Sequence, residues 1–301
     1  VILDSVQTLH SPAVDGIPGA VNQVRLVAAR SMAFAKSTGI PVFLVGHVTK
    51  SGGIAGPKVL EHLVDTVIYF QGENQSQLRV LRATKNRFGS TGELGFFEMT
   101  EKGLEQVPDA SARLLAERST SSAGTAVVCA LEGSRPLLVE VQSLVGRPTP
   151  DTPGRTVLGL DKGRLNMLLA VLGKHGHALH DRDVFVSAAG GVRVHEPAVD
   201  LGIAAAVLSS LQDRPVDPHT LLFGEVGLVG EVRAVTQPGP RLVEAHRYGF
   251  RRVICPANSL EHAPKGLEVI GVRSLSEAIQ ALFSTPRRTK ESAAASAQLP
   301  F

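Results

Sequence analysis

The stretch GIPVFLVGHV (residues 39–48) decides the fold class of the first half of the chain. A continuous apolar run of this kind is typical of a parallel strand that is buried on both faces. Before it, apolar residues recur at helical spacing from Pro18 to Thr38, and Gly39 provides the helix stop. Residues 1–4 (VILD) are a second short apolar strand. The order strand, helix, strand predicts a right-handed βαβ unit in an α/β sheet.

The composition is that of a soluble globular protein. The 301 residues are 43% hydrophobic and 20% charged, and the length allows two domains. A formal net charge of +3 and a pI near 9.0 do not demand a polyanionic partner. Cys129 and Cys255 are far apart and lack a CxxC neighbour, so their spacing indicates neither a disulfide framework nor a zinc site. No signal peptide and no membrane-spanning run is visible, so we expect a cytoplasmic protein that does not bind membranes.

We expect four segments along the chain. Residues 1–108 form the first domain, and the small polar stretch 109–123 is a linker. Residues 124–283 form a second domain with strands at 124–145 and helices at 162–176 and 199–211. Residues 284–301 lack apolar periodicity and are predicted to be a disordered tail.

Two neighbouring cations follow a predicted strand in the first domain. Strands are predicted at 66–70 and 78–84, and residues 96–107 complete this antiparallel region. Side chains alternate along a strand, so Lys85 and Arg87 should project to the same side. Like charges repel unless an anion lies between them. The pair is therefore either a solvated hairpin tip or a pair that reaches a phosphate.

Polar residues end the two apolar strands of the first domain. Asp4 directly follows the first strand, and His47 ends the second. An aspartate in that place holds the Mg²⁺ shell in P-loop ATPases, and a polar residue on the neighbouring strand can sense a γ-phosphate. Both residues could equally be caps of strand ends.

Three segments in this order resemble the RadA (Sms) DNA-repair ATPases, a RecA-like group related to the DnaB replicative helicases. They are VILDSVQTL (1–9), GIPVFLVGHVTKSGGIAGPKVLEHLVDTVIYF (39–70) and ATKNRFGSTGELGFFEM (83–99), of which KNRFG is the most specific. The resemblance implies that Asp4 is the acidic Walker B residue and His47 the phosphate sensor. It also implies that Lys85 and Arg87 are finger residues that reach the ATP of the adjacent subunit in a hexamer. The implied fold is the C-terminal part of a RecA-like P-loop ATPase core of the α/β class.

The same resemblance places DNA-binding segments at the loops 11–20 and 49–58, where Lys50 and Lys58 are the candidates. No G-x-x-x-x-G-K-[ST] motif occurs in the chain. Members of the family carry that loop upstream, after a four-cysteine zinc module. We therefore expect this chain to be a piece of a longer protein, to hold no zinc, and to hydrolyse no ATP by itself.

The second domain is similar to the α+β proteolytic domain of Lon proteases. FGEVGLVGEVRAV (223–235) and EAHRYGFRRVICP (244–256) carry this resemblance. Lon enzymes use a serine activated by a lysine. The matching positions here are Ala198 and Arg241, and arginine cannot be deprotonated to act as a base. We expect a catalytically inactive domain that assembles rings, with the serines at 209 and 210 packing in a helix.

Basic residues of the second domain suggest a further contact with DNA. Lys162, Arg164 and Lys174, with Arg193, would form a stripe that binds phosphates without sequence preference, or else an ordinary solvated helix face. The histidines of GKHGHALH (173–180) lack the spacing and partners of a metal site, and a polar loop is the better interpretation.

These inferences predict a DNA-dependent ATPase and helicase or branch-migration motor in homologous recombination and DNA repair. Its cofactors would be ATP and Mg²⁺. Its partners would be single-stranded and branched DNA, a RecA-type recombinase and five further copies of itself in a homo-hexamer. One alternative is a non-enzymatic module for ring assembly and DNA binding. The other is a Lon-like peptidase, against which Ala198 and Arg241 argue.

Overall fold

The computed structural model describes residues 1–47, 58–72, 78–148 and 152–284. They form two compact units, one of residues 1–71 and 80–95, the other of residues 72–79 and of the chain from 96 onward. Most of the predicted tail and the predicted DNA-binding residue Lys50 lie outside the described residues. Among the helices described, none has the length and apolarity needed to cross a bilayer.

The first unit contains the predicted strand, helix and parallel strand. Strand β1 (Ile2–Asp4) pairs in parallel with β2 (Phe43–Val45), and helix α1 (Val21–Thr38) connects them. The helix ends where predicted, because Gly39 adopts a left-handed φ of 71° and its N–H bonds the carbonyl of Ala35 at 2.9 Å.

The prediction that both strands are buried is wrong for the described chain. Ile2 is 70% exposed and Phe43 is 62% exposed. The sheet has two strands within the described residues, which is too few to cover both faces. Beside it, Val6 and Val24 form a small buried cluster.

The rest of the first unit is a short helix and an antiparallel pair of strands. Helix α2 (Lys58–Glu61) precedes β3 (Thr66–Gln71), which pairs with β4 (Leu78–Asn86). The pairing confirms the predicted hairpin. Strand β4 continues to Asn86, two residues beyond the predicted end.

A hairpin whose first strand starts two residues before the long part of the second unit leads into this part, and a helix follows it. Strands β5 (Leu94–Thr100) and β6 (Gly103–Gln106) pair antiparallel, and helix α3 (Ala110–Leu115) follows. This helix lies within the stretch that we predicted to be a linker. Ala110 is fully buried, and the hydroxyl of Ser111 accepts the backbone N–H of Leu138 at 3.1 Å. Small polar residues therefore form a packed element here, because tertiary contacts outweigh composition.

A mixed sheet of seven strands organises the rest of the second unit, in the order β15-β14-β11-β7-β8-β10-β9. The central pairs β7–β8 and β8–β10 are antiparallel, and the outer pairs are parallel. A separate two-stranded pair, β12–β13, is antiparallel. The strand bounds are β7 Thr125–Glu132, β8 Arg135–Gly146, β9 Arg155–Leu158, β10 Asp183–Ala188, β11 Thr220–Leu222, β12 Glu225–Val226, β13 Val232–Arg233, β14 Arg252–Pro256 and β15 Glu268–Val272.

Helices pack on both faces of this sheet. Their bounds are α4 Lys162–Lys174, α5 Asp200–Gln212, α6 Pro238–Arg247 and α7 Leu275–Phe283. Gly202 of α5 lies so close to Val128 that an added Cβ would be 1.9 Å from its methyl group. The neighbours of Val128 in β7, which point to the other face, share a core with Leu242 of α6. The two predicted helices of this domain, α4 and α5, are confirmed, and the protein is a mixed α/β fold.

Candidate functional site

The first candidate site is the edge of the sheet where β1 and β2 end. Asp4 is the last residue of β1 and is paired with Val45 of β2, and His47 lies two residues further along. Both side chains are exposed. The side-chain amide of Gln7 donates to the backbone oxygen of His47 at 3.1 Å, which ties together the loops that follow the two strands. The structure therefore brings the two residues to one open edge.

The carboxylate of Asp4 at this edge fits a magnesium ion that takes most of its ligands from water and phosphate. Mg²⁺ prefers oxygen ligands, and ATPases bind it through one or two carboxylates, waters and substrate phosphates. Asp4 supplies one exposed carboxylate. Within the described ranges, no cluster of three or more His, Cys, Asp or Glu residues could hold a metal ion. Phosphate oxygens and water would have to complete the coordination of a cation here.

Lys85 is held inside its own chain. Its Nζ donates to the backbone oxygens of Glu61 at 2.6 Å and Val64 at 2.8 Å, where helix α2 ends. A cation at this place satisfies carbonyls that the helix leaves without partners and interacts favourably with the helix dipole.

Arg87 lies beyond strand β4, in the turn that follows Asn86. Its guanidinium bonds the carboxylate of Asp65 at 3.0 Å, with 53% and 40% of the two side chains exposed. The expectation that two adjacent cations need one shared anion is wrong. Each cation already has its own partner. Arg87 lies past the end of β4, so the alternation of side chains along the strand does not apply to it.

In the second unit, Arg241 forms the centre of a buried hydrogen-bond network. Its guanidinium is fully buried, donates to the backbone oxygen of Cys129 at 2.6 Å, and forms an ion pair with Glu196. Glu196 is two residues before Ala198, which is 2% exposed. The fold thus places Arg241 against the segment that leads to Ala198, and these are the two positions to which the resemblance to Lon proteases pointed. Neither side chain can supply a nucleophile or a base.

Two serines of helix α5 satisfy backbone groups. The Oγ of Ser209 accepts the N–H of Gly124 at 2.9 Å and donates to the oxygen of Arg214 at 2.5 Å. The Oγ of Ser210 accepts the N–H of Val145 at 2.9 Å. Both hydroxyls therefore pack helix α5 against its surroundings.

Sequence reasoning missed a buried acidic residue. Asp200 begins α5, is fully buried, and accepts hydrogen bonds from Arg164 and from the N–H of Val226 at 2.9 Å. Burial raises the pKa of the Asp200 carboxyl, although these hydrogen bonds act in the opposite direction. The hydrogen bond to Asp200 raises the pKa of Arg164. Glu225 adds a second contact to Arg164 at 3.2 Å. An aspartate at the start of an otherwise apolar helix was the available signal.

The basic residues of α4 do not lie along one stripe. Lys162 and Arg164 are two positions apart and so point about 200° apart around the helix axis. Arg164 faces the acidic cluster, and only a quarter of its side chain is exposed. Lys174 is exposed at the far end of α4, about 18 Å from Lys162. Lys58 begins helix α2, and its side chain lies outside the described residues.

Comparison with known proteins gives two findings. Residues 162–259 match the model of the family described as subunit ChlI of Mg-chelatase, and this match lies entirely within the second unit. The curated relatives are longer proteins that match nearly all of this chain.

Three of these relatives are named DNA repair protein RadA. The protein from Pseudomonas aeruginosa is 51% identical over 284 residues, which are 94% of this chain and 63% of the relative. Those from Bacillus subtilis and Halalkalibacterium halodurans are each 48% identical over 93% of this chain and 62% of their own length. The chain therefore spans a little over three fifths of the relatives it matches. With this identity along almost its whole length, the chain is similar to the DNA repair proteins named RadA.

Proposed function

We propose that the intact protein is an ATP-driven DNA motor that acts in recombinational repair as a hexameric ring. ATP and Mg²⁺ would bind between subunits, and loops in the central channel would move along single-stranded or branched DNA. A RecA-type recombinase would be its protein partner. The name of these relatives, DNA repair protein RadA, supports the repair role. The observation that carries the proposal is the open edge where Asp4 and His47 lie together.

In this proposal the residues of the edge act on a bound nucleotide. Asp4 would hold waters of the Mg²⁺ shell, and His47 would contact the terminal phosphate. The metal would neutralise charge that develops on the transferred phosphoryl group. The phosphate cradle would come from a part of the protein that this sequence does not include.

Arg87 is better suited than Lys85 to serve the neighbouring subunit. The exposed Arg87–Asp65 pair contributes about 0–1 kcal/mol, so little free energy is needed to release the guanidinium. Each hydrogen bond from a charged Lys85 to a partly buried carbonyl contributes about 1.5–3 kcal/mol. We therefore assign Arg87 to the transferring phosphate and Lys85 to holding the base of the turn.

The test is ATP turnover by the longer parent protein, with and without single-stranded DNA. Arg87→Ala should lower the turnover rate by about 10³-fold or more and leave the melting temperature unchanged within error. Lys85→Ala should lower both the turnover rate and the melting temperature. Arg25→Ala removes an exposed arginine from α1 of the same unit and should change neither. Full turnover in Arg87→Ala would refute the finger assignment.

A second candidate function is a non-enzymatic module for ring assembly and DNA binding, and one observation favours it for this chain. The sequence has no G-x-x-x-x-G-K-[ST] loop, the motif with which P-loop ATPases bind the phosphates of ATP. Light scattering and DNA binding by the 301-residue chain, with turnover measured in parallel, test this candidate. Rings that bind DNA and turn over no ATP are expected. Turnover by this chain alone would contradict it.

The Lon-like part would serve assembly and would not cut peptides. The proximity of Arg241 to the segment that contains Ala198 supports a Lon-like arrangement whose two reactive groups are replaced. Casein should remain intact in the presence of the chain. Cleavage that a single serine substitution abolishes would overturn this assignment.

A further inference from the structure

One face of the sheet in the second unit is open at the β8-β10-β9 end. Phe185 of β10 is paired with Leu144 of β8, and Ser187 is paired with both Gln142 of β8 and Leu158 of β9. Side chains at paired positions point to the same face, so these residues share one surface. Leu144 is 64% exposed, Leu158 62% and Phe185 42%. Three large apolar side chains are therefore exposed on one face of these three strands and are called the apolar patch below.

A cleft that contains the buried carboxylate of Glu140 adjoins this patch. It has a volume of about 640 Å³, and Leu158, Gln142 and Ser187 are among the residues that line it. Its charged lining is mixed, with Glu117, Glu140 and Asp161 beside Arg113, Arg193 and His195. Because Leu158 belongs to both the cleft and the apolar patch, the two surfaces are continuous.

Glu140 is the unusual residue of this cleft. It lies on the same face of β8 as Gln142 and is only 2% exposed. Within the described part of the chain, its carboxylate accepts one hydrogen bond, from Nε2 of Gln142 at 2.9 Å. A buried carboxylate normally has a cation or several donors as partners. The nearby Arg113 is already held by Glu98 through Nε and Nη2.

We propose that this face binds an extended peptide segment of a protein partner, with a lysine or arginine side chain in the cleft and apolar side chains on the patch. A guanidinium or ammonium group would give Glu140 the donors that it lacks. The apolar residues of the segment would cover Leu144, Phe185 and Leu158. The exposed apolar side chains beside the cleft favour a protein segment over a nucleic acid, whose backbone is charged. The proposal rests on the second unit and does not depend on the proposed ATP chemistry.

The experiment uses the immobilised 301-residue chain and a library of capped heptapeptides with one residue held constant and the others randomised. Retained peptides are identified by mass spectrometry. For the unmodified chain, peptides with a constant arginine or lysine and apolar residues beside it should be enriched about 10-fold over those with glutamine. Glu140→Gln keeps the size of the side chain and should abolish the preference for the cation. Phe185→Ser should abolish the preference for apolar residues.

Two controls separate the effects on binding from effects on folding. Glu101→Gln removes an exposed carboxylate from the turn between β5 and β6 and should leave the enrichment unchanged. Melting curves show whether each variant folds. If Phe185→Ser fails to fold, Leu158→Ser replaces it.

Four outcomes would overturn the proposal. The first is an absence of enrichment with the unmodified chain, and the second is a cation preference that survives Glu140→Gln. The third is self-association that Phe185→Ser abolishes while no peptide is retained, which would assign the face to contact between copies. Retention of a single-stranded oligonucleotide that increases in Glu140→Gln, without retention of peptides, would likewise replace the peptide with DNA.

Discussion

Replacing Arg241 with methionine should destabilise the second unit severely. Methionine preserves much of the length of the side chain but removes every donor. The ion pair with Glu196 and the hydrogen bonds to the backbone oxygens of Cys129 (2.6 Å) and Thr236 (3.1 Å) are lost. Removal of one member of a buried ion pair costs about 3–5 kcal/mol, since the other charge stays buried without compensation. Arg241 is fully buried, and the Glu196 side chain is only 20% exposed.

A loss of 4 kcal/mol lowers the melting temperature of a domain of this size by about 8–16 °C. Calorimetry suits the measurement because it resolves transitions of separate units. The matched control is Arg233→Met, which removes an exposed partner of Glu231 and should leave the melting temperature nearly unchanged. The double variant Arg241→Met with Glu196→Gln should be more stable than Arg241→Met alone, because no uncompensated charge remains.

The reasoning would be refuted if Arg241→Met melted within 3 °C of the unmodified chain. It would be refuted equally if Arg241→Met and Arg233→Met were destabilised alike. Equal stability of the single and the double variant would show that the residual charge on Glu196 is not the cause.

Three further predictions concern the second unit. Burial and a carboxylate partner raise the pKa of Tyr248 to about 12. The contribution of Tyr248 to stability is therefore complete below about pH 10 and is lost as the pH rises to 12. Absorbance at 295 nm should show this titration, and Tyr248→Phe should remove it. Burial raises the pKa of the Cys129 and Cys255 thiols to about 12, so neither should react with a disulfide reagent at pH 8 until urea unfolds the protein, and fast reaction in the native state would contradict this. Gly202→Ala should cost about 1–3 kcal/mol because its methyl group would overlap a buried valine. Gly173→Ala meets no atom within 4 Å and should stabilise α4 by about 0.5–1 kcal/mol. Equal urea midpoints of the two variants would refute the packing argument.

Local patterns were sufficient to predict many of the elements. The helix that ends at Gly39, the parallel strands around it and helices α4 and α5 follow from periodicity, stop residues and apolar runs that act over a few residues. The placement of Asp4 and His47 at one edge also follows, because parallel strands that are close in sequence bring their carboxyl ends together. Likewise, the residue types at Ala198 and Arg241, the positions to which the resemblance to Lon proteases points, predict that no serine–lysine dyad forms there.

Only the tertiary structure decided which charged groups are already engaged. The partners of Lys85 are backbone carbonyls more than twenty residues away, and Arg241 bonds an oxygen 112 residues away. No local pattern encodes such distances, because they depend on how the elements pack. For the same reason helix α3 lies in a stretch whose composition indicated a linker, and Glu140 is a buried carboxylate in a strand that alternation alone describes as ordinary. Sequence determined the local elements and the chemistry of each side chain, whereas packing determined which of those side chains remain available to a ligand.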